Sequence, residues 1–277
     1  MRKCFFIFLV VLASCKSSTQ TSTATKNSQR DTTRIKEQLF DSALFNLVQH
    51  QTFQYFWDGA EPSSGLARER FHVDNIYPQN DKSTVTTGGS GFGVMAILVG
   101  IEEGFITREE GRIRLEKALH FLETADRFHG AFPHWWNGET GKVKPFSPDD
   151  DGGDLVETSY MLQGLLCVRQ YFNQGNDAEK SVSQRIDKLW KSVEFDWYQH
   201  GQHVLYWHWS PDKAWKMNFA IHGYNETLIT YVLGASSPTH PISTAAYHEG
   251  WAENGKIKSI HAEYGDTLQM RYQGGNP

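Results

Sequence analysis

Cysteine is scarce in this chain of 277 residues, with three in all, and their placement leaves no disulfide framework: Cys4 and Cys15 flank a short apolar run and Cys167 lies in an apolar helical segment. That apolar run, residues 5–12, is too short to span a bilayer. Basic charge is also lacking. Lys and Arg number 27 against 32 Asp and Glu, a formal charge of −5. The first 37 residues hold seven of the basic residues and two of the acids, so the body carries −10. A body that acidic repels phosphate backbones, which excludes nucleic acid as the natural partner. Metal motifs are missing too. No H-E-x-x-H occurs, His200, His203 and His208 have no cysteine partner, and the run from Asp149 puts Asp154 and Tyr160 where a calcium loop needs Gly and Glu. No cofactor or metal is expected.

What remains is abundant in aromatics, 13% with nine Trp, and 39% apolar, enough for a large core. Arg2 and Lys3, the apolar run, and Leu12-Ala13-Ser14-Cys15 resemble a lipoprotein signal with its lipobox, with acylation on Cys15. Residues 1–15 are therefore expected to be a signal peptide, residues 16–37 a polar tether, and 38–277 the folded domain. The expected setting is an exported bacterial lipoprotein, in the periplasm or on the outer membrane.

Helical periodicity organises the domain. Segments 39–57, 107–126 and 177–193 each carry one apolar stripe, namely Leu39, Ala43, Leu47, Phe53 and Phe56; Ile113, Leu119 and Leu122; and Val182, Ile186, Leu189, Trp190 and Val193. Between them, residues 94–101, 160–168 and 228–233 are apolar nearly all round and are expected to be buried on every side. Starts recur at residues 39, 107 and 177, and at 87, 154 and 225, a helix pair of about 70 residues. Outer amphipathic helices around inner apolar ones describe an all-α, α/α-six toroid. Six pairs need about 420 residues; residues 38–277 supply 240, so the ring is expected to be incomplete.

In such a fold the loops before the inner helices share one face. The first opening, Thr86-Thr87-Gly88-Gly89-Ser90-Gly91-Phe92-Gly93, matches no phosphate-loop pattern and reads better as close helix packing. The second contains Asp150, Asp154 and Glu157. The spacing of Asp154 and Glu157 puts both on one helix face, and Asp150 can fold over them across Gly152-Gly153. Asp154 as N-cap with Glu157 three residues on also reads as a capping box, as do Thr107 and Glu110. The third opening holds Glu226 after Asn225, a plausible N-cap. Aromatic stretches precede two of these openings, with Trp135 and Trp136 before the acidic one and Trp207 and Trp209 before Glu226. Indoles beside carboxylates suit sugar rings, although alternate residues of 206–209 also suit a loop core.

Residues 86–96 (TTGGSGFGVMA), 135–146 (WWNGETGKVKPF), 150–172 (DDGGDLVETSYMLQGLLCVRQYF) and 223–238 (GYNETLITYVLGASSP) resemble the bacterial endo-β-1,2-glucanases, glycoside hydrolase family 144, often labelled glucoamylase-like. The resemblance implies an α/α-six toroid, hydrolysis of β-1,2-glucan to short sophoro-oligosaccharides with inversion, and no metal. It implies Glu226 as general acid, leaves Asp150, Asp154 and Glu157 as candidates for the base, and brings Trp135, Trp136, Tyr224, Trp207 and Trp209 to a β-glucan in a monomer. Alternatives of other kinds are a surface lipoprotein that captures glycan without cutting it, a polysaccharide lyase on the same fold, and an exo-acting glucosidase.

Overall fold

The computed structural model describes residues 41–223, 225–256, 258–263 and 266–269. The expected signal peptide, tether, Cys15 and Tyr224 lie outside the described residues. By its internal contacts the chain divides into Met1–Leu44 and Phe45–Pro277, and the second unit carries the fold discussed below.

Helices α1 (Asp41–Trp57), α3 (Arg108–Thr124) and α5 (Asp177–Lys191) alternate with α2 (Thr87–Glu102), α4 (Leu155–Phe172) and α6 (Leu228–Ser236). The second set packs side by side, α2 on α4 and α4 on α6, while α3 lies against α5 outside them. This is the inner and outer ordering that the alternation predicts. On α3 the buried stripe is Leu115, Leu119 and Leu122, at helical spacing. Ile113 lies about 200° round the helix from Leu115 and is exposed, so it drops out of the expected stripe. On α1, Phe53 is buried and Leu47 exposed, which narrows that stripe as well. On α5, Val182, Ile186 and Leu189 face inward as expected.

The inner helices approach to backbone contact. A Cβ on Gly91 would lie 2.3 Å from the Tyr160 carbonyl oxygen, and one on Gly164 would lie 2.1 Å from that of Gly91. Gly91 of the α2 opening therefore serves helix packing. Val94, Ile97, Leu162, Leu165 and Val168 fill the seam. Their other sides are not all covered: Val99 and Val232 are exposed, and a groove of about 570 Å³ is lined by Leu98, Leu166, Cys167 and Leu233. The expectation of burial on every side is thus corrected, because no described element packs over that side of α2, α4 and α6.

Short strands shape the face above the inner helix starts. β1 (Thr84–Thr86), β2 (Trp135–Asn137) and β3 (Val143–Lys144) form an antiparallel sheet with Val85 opposite Trp136. β4 (Gly153–Asp154) pairs with β5 (His208–Trp209), placing Asp154 opposite His208. A six-residue π-helical turn, Ala246–Trp251, follows α6 and buries Trp251. Lys258–Glu263 and Asp266–Gln269 pair as an antiparallel hairpin.

Candidate active site

Two helix starts with the same cue behave differently. At α3 the capping box is complete: Thr107 and Glu110 each accept from the other's backbone N–H. At α4 Asp154 Oδ1 accepts from the Glu157 N–H at 2.8 Å, but Glu157 does not reach back. Its Oε2 instead accepts from the Gly88 N–H at 2.7 Å, at the start of α2. That N-terminal anion position is filled by the protein's own carboxylate. The Asp154 N–H, released from the cap, donates to the Phe132 carbonyl.

Asp154 is fully buried and has no spare acceptor directed at solvent. Its Oδ2 receives Trp207 Nε1–H at 2.9 Å and His134 Nδ1 at 3.1 Å. Asp150 folds back over the Gly152-Gly153 turn, as expected. A Cβ at Gly152 would lie 2.0 Å from the Trp209 carbonyl and one at Gly153 2.2 Å from the Tyr198 hydroxyl, so this turn fits only glycines. Asp150 is 6% exposed; its Oδ2 lies 3.7 Å from His134 Nδ1 and its Oδ1 3.4 Å from His208 Nε2. That Nε2 accepts the Gly152 N–H, so it offers Asp150 no proton.

Burial and the crowding of like charge set the protonation of this cluster. Burial, then the charge of Asp154, pushes the Asp150 carboxyl up to about 7, against the pull of His134. Glu157 is raised for the same first two reasons, opposed by His134 and by the Gly88 N–H. For His134, burial acts downward but is overcome by the Asp154 hydrogen bond and the charges of Asp154, Glu157 and Asp150, which bring it to about 9. His208 is lowered by burial and stays neutral. The donor atoms of His134, Asp150 and Asp154 all lie within 4.8 Å of one another. His134 Nδ1 is shared between Asp154 at 3.1 Å and Asp150 at 3.7 Å, which holds the trio together as an ion cluster.

The structure brings Asp150, Asp154 and Glu157 together; Glu226 stands at the margin. Its side chain is exposed, and its backbone carbonyl accepts from the Tyr160 hydroxyl at 2.9 Å. Burial, then the charges of Glu226 and Glu157, raise the Tyr160 hydroxyl above its ordinary value. Asn225 does not cap α6. Its Oδ1 accepts from the Thr227 N–H, closing a turn one step early, and Thr227 occupies the cap position.

The aromatics divide by strand alternation. Trp135 is half-buried, with its Nε1–H on Glu69 at 3.1 Å and its ring at an angle of 66° to Phe146. Trp136, its neighbour in β2, is 0% exposed, packs on Phe121 and Phe132, and donates to the Asp126 carbonyl. It is core, which corrects its assignment to the substrate. Trp207 is half-buried against Asp154, and Trp209 packs edge-on to His129 and Trp197. Tyr206 and His208, on the other face of that stretch, are buried as alternation predicts. Reading the sequence for carboxylates missed His134; its adjacency to Trp135 was the available signal.

Comparison with known proteins then supplies a context. The family described as "Putative glucoamylase" matches residues 218–276. An endo-β-1,2-glucanase from Chitinophaga pinensis, solved with sophorotriose and glucose, is 63% identical with a TM-score of 0.83, over 86% of this chain and 57% of that one. A β-1,2-glucanase from Parabacteroides distasonis is 46% identical with a TM-score of 0.75, over 84% of this chain and 35% of that one. This chain is similar to these bacterial β-1,2-glucanases. A curated protein of Parabacteroides distasonis, the exo β-1,2-glucooligosaccharide sophorohydrolase (non-reducing end), is 49% identical over 257 residues, 86% of this chain and 35% of that protein. The chain thus spans about a third to somewhat over half the length of these relatives. The resemblance read from residues 86–96, 135–146, 150–172 and 223–238 and the all-α toroid architecture both stand.

Proposed function

We propose that this β-1,2-glucanase relative carries the acid cluster of a glycoside hydrolase acting on β-1,2-glucan, endo-acting and inverting. The observation that carries the reading is the convergence of Asp150, Asp154 and Glu157 beneath Trp135 and Trp207, with two of the three carboxyls raised by burial. A neutral glycan needs no such cluster to be bound, whereas hydrolysis needs carboxyls on both sides of the scissile bond. In inversion one carboxyl protonates the leaving oxygen while another activates water, the two standing about 6.5–9.5 Å apart. Glu226, whose backbone carbonyl accepts from the Tyr160 hydroxyl, takes the acid role. The base lies among Asp150, Asp154 and Glu157. Asp154, with every acceptor engaged, suits anchoring better than proton transfer. Trp135, Trp207 and Trp209 stack the sugar rings. Lipid anchorage through Cys15 would hold the enzyme at a bacterial membrane surface.

Product analysis over a panel of β-1,2-, β-1,3-, β-1,4- and α-1,4-glucans tests the proposal. Sophoro-oligosaccharides of several lengths from the β-1,2 polymer alone support it. Sophorose released singly from chain ends would make the action exo, and glycan binding without any product would make the chain a binding protein.

A further inference from the structure

Resting on that reading, we propose that His134 is a positioning residue whose imidazolium clamps Asp154 and Asp150 and keeps the base side of the cluster ionised while glucan is cut. Three observations carry it. First, ion pairing is one-sided: among the described residues, His134 and His208 are the groups in ion-pair range of Asp150 or Asp154, and His208 Nε2 is already an acceptor. Lys213, the nearby lysine, is held by Asp151. Second, Asp150 Oδ1 is buried without a hydrogen-bond partner among the described residues, so the charge of this carboxylate is compensated chiefly through Oδ2, on the His134 side. Third, the imidazole is held in place, stacked on Phe146 at 4.1 Å and edge-on to Trp135. A ring fixed between two aromatics and two acids has little freedom to serve as an adaptable sugar contact.

The charged groups facing this centre come from every element around it. Glu157 and Asp154 stand at the start of α4, Asp150 and Asp151 in the preceding loop, His208 on β5, and Lys213, paired with Asp151, after β5. Glu69 lies beyond the Trp135 indole, and Tyr198 feels Asp154 from below. Of these, the cation within hydrogen-bond reach of Asp154 is His134. Its positive charge opposes the upward push on both Asp150 and Glu157, so the clamp acts whichever of them takes the proton from water.

The test compares the 277-residue chain with its His134→Gln variant, which keeps a neutral side-chain donor. Carboxyl ¹³C titration should find Asp150 and Glu157 protonating at higher pH in the variant, by about one unit, the shift that loss of one close charge produces. The acidic limb of kcat/KM on β-1,2-gluco-oligosaccharides should move the same way, with kcat reduced about 10-fold or more and KM altered less. Unmoved carboxyl titrations, or activity reduced by one factor at every pH, would overturn the clamp in favour of a merely structural ring. Should the variant fail to fold, the wild-type imidazole ¹H–¹³C titration decides: a proton held through pH 8 supports the clamp, and titration near the ordinary 6.5 overturns it. A wild-type chain that cuts no β-1,2-glucan defeats the proposed function, while the carboxyl titrations still judge the clamp.

Discussion

Replacing Gly91 or Gly164 by Ala tests whether backbone contact between α2 and α4 sets the site. The added Cβ would sit 2.3 Å from the Tyr160 carbonyl oxygen in the first case and 2.1 Å from the Gly91 oxygen in the second. Carbon and carbonyl oxygen rest at about 3.3–3.6 Å, so the helices must part by about 1 Å. Neither obstacle is a flexible side-chain end; both are helix backbone. A gap of that size forfeits roughly a quarter to a half of the dispersion energy along the seam, and overpacking of this kind costs about 1–3 kcal/mol. Helix propensity works the other way, favouring Ala over Gly by about 1 kcal/mol. The sign of the net effect is therefore informative: packing less propensity predicts a loss of about 0–2 kcal/mol, propensity alone a gain of about 1 kcal/mol. The same displacement pulls Gly88 from Glu157, which links the starts of these two helices, so activity should fall beyond what stability explains. Urea unfolding read by circular dichroism, with turnover at a fully folded urea concentration, measures both. Gly104→Ala is the control: its Cβ meets nothing within 4 Å, and its positive φ of 70° costs about 1–2 kcal/mol without touching the seam or the site. A raised urea midpoint for Gly91→Ala would refute the packing account.

Other outcomes follow from single contacts. Trp136→Ala should destabilise by about 3–5 kcal/mol in thermal or urea melts, as expected for a wholly buried indole, whereas Trp135→Ala should cost little stability and weaken glucan affinity in calorimetry. Trp207→Phe removes one donor from buried Asp154 and should cost about 1–2 kcal/mol, with a fall in kcat larger than any change in KM. Thr107→Ala opens the complete capping box of α3 and should cost about 1 kcal/mol while leaving turnover unchanged. For pH, Asp150 and His134 both hold their protons more tightly folded than unfolded. The stability they confer is full below the unfolded values of about 4 and 6.5 and is lost as pH rises through about 7 and about 9. Urea midpoints should accordingly decline from pH 5 to 9, and Asp150→Asn should flatten the lower part of that decline.

Much of this arrangement was legible because it is local. The alternation of striped and wholly apolar segments gave the inner and outer order, since a helix with one apolar face can lie outside and a helix apolar all round needs neighbours. The Thr107–Glu110 box, Asp154 as N-cap, and the return of Asp150 over two glycines all rest on residues within a few positions of one another. Errors arose where a partner distant in sequence decides. Whether Trp135 or Trp136 points inward depends on the phase of β2, which the pairing of Trp136 with Val85, 51 residues away, sets. Val99 and Val232 look buried by composition, but exposure depends on what packs across them.

Glu157 shows why the site resists local reading. By sequence it completes a capping box as well as Glu110 does, and nothing within four residues distinguishes the two. The difference lies at residue 88, where a glycine N–H at the start of another helix competes for the same carboxylate. Taking that bond leaves the Asp154 N–H to the Phe132 carbonyl and helps draw the aromatic loop, with His134 at its end, onto the cluster. Each group thus departs from its local preference in favour of a partner on a different element. The result is three carboxylates gathered around one imidazole, an arrangement costly in desolvation and like-charge repulsion. Folding alone gains nothing from concentrating that charge, since a closed capping box and a capped Asp154 would have sufficed for α4. The departure from local preference at this helix start, against its observance at α3, is therefore the feature on which the proposal of a chemical role for the cluster rests.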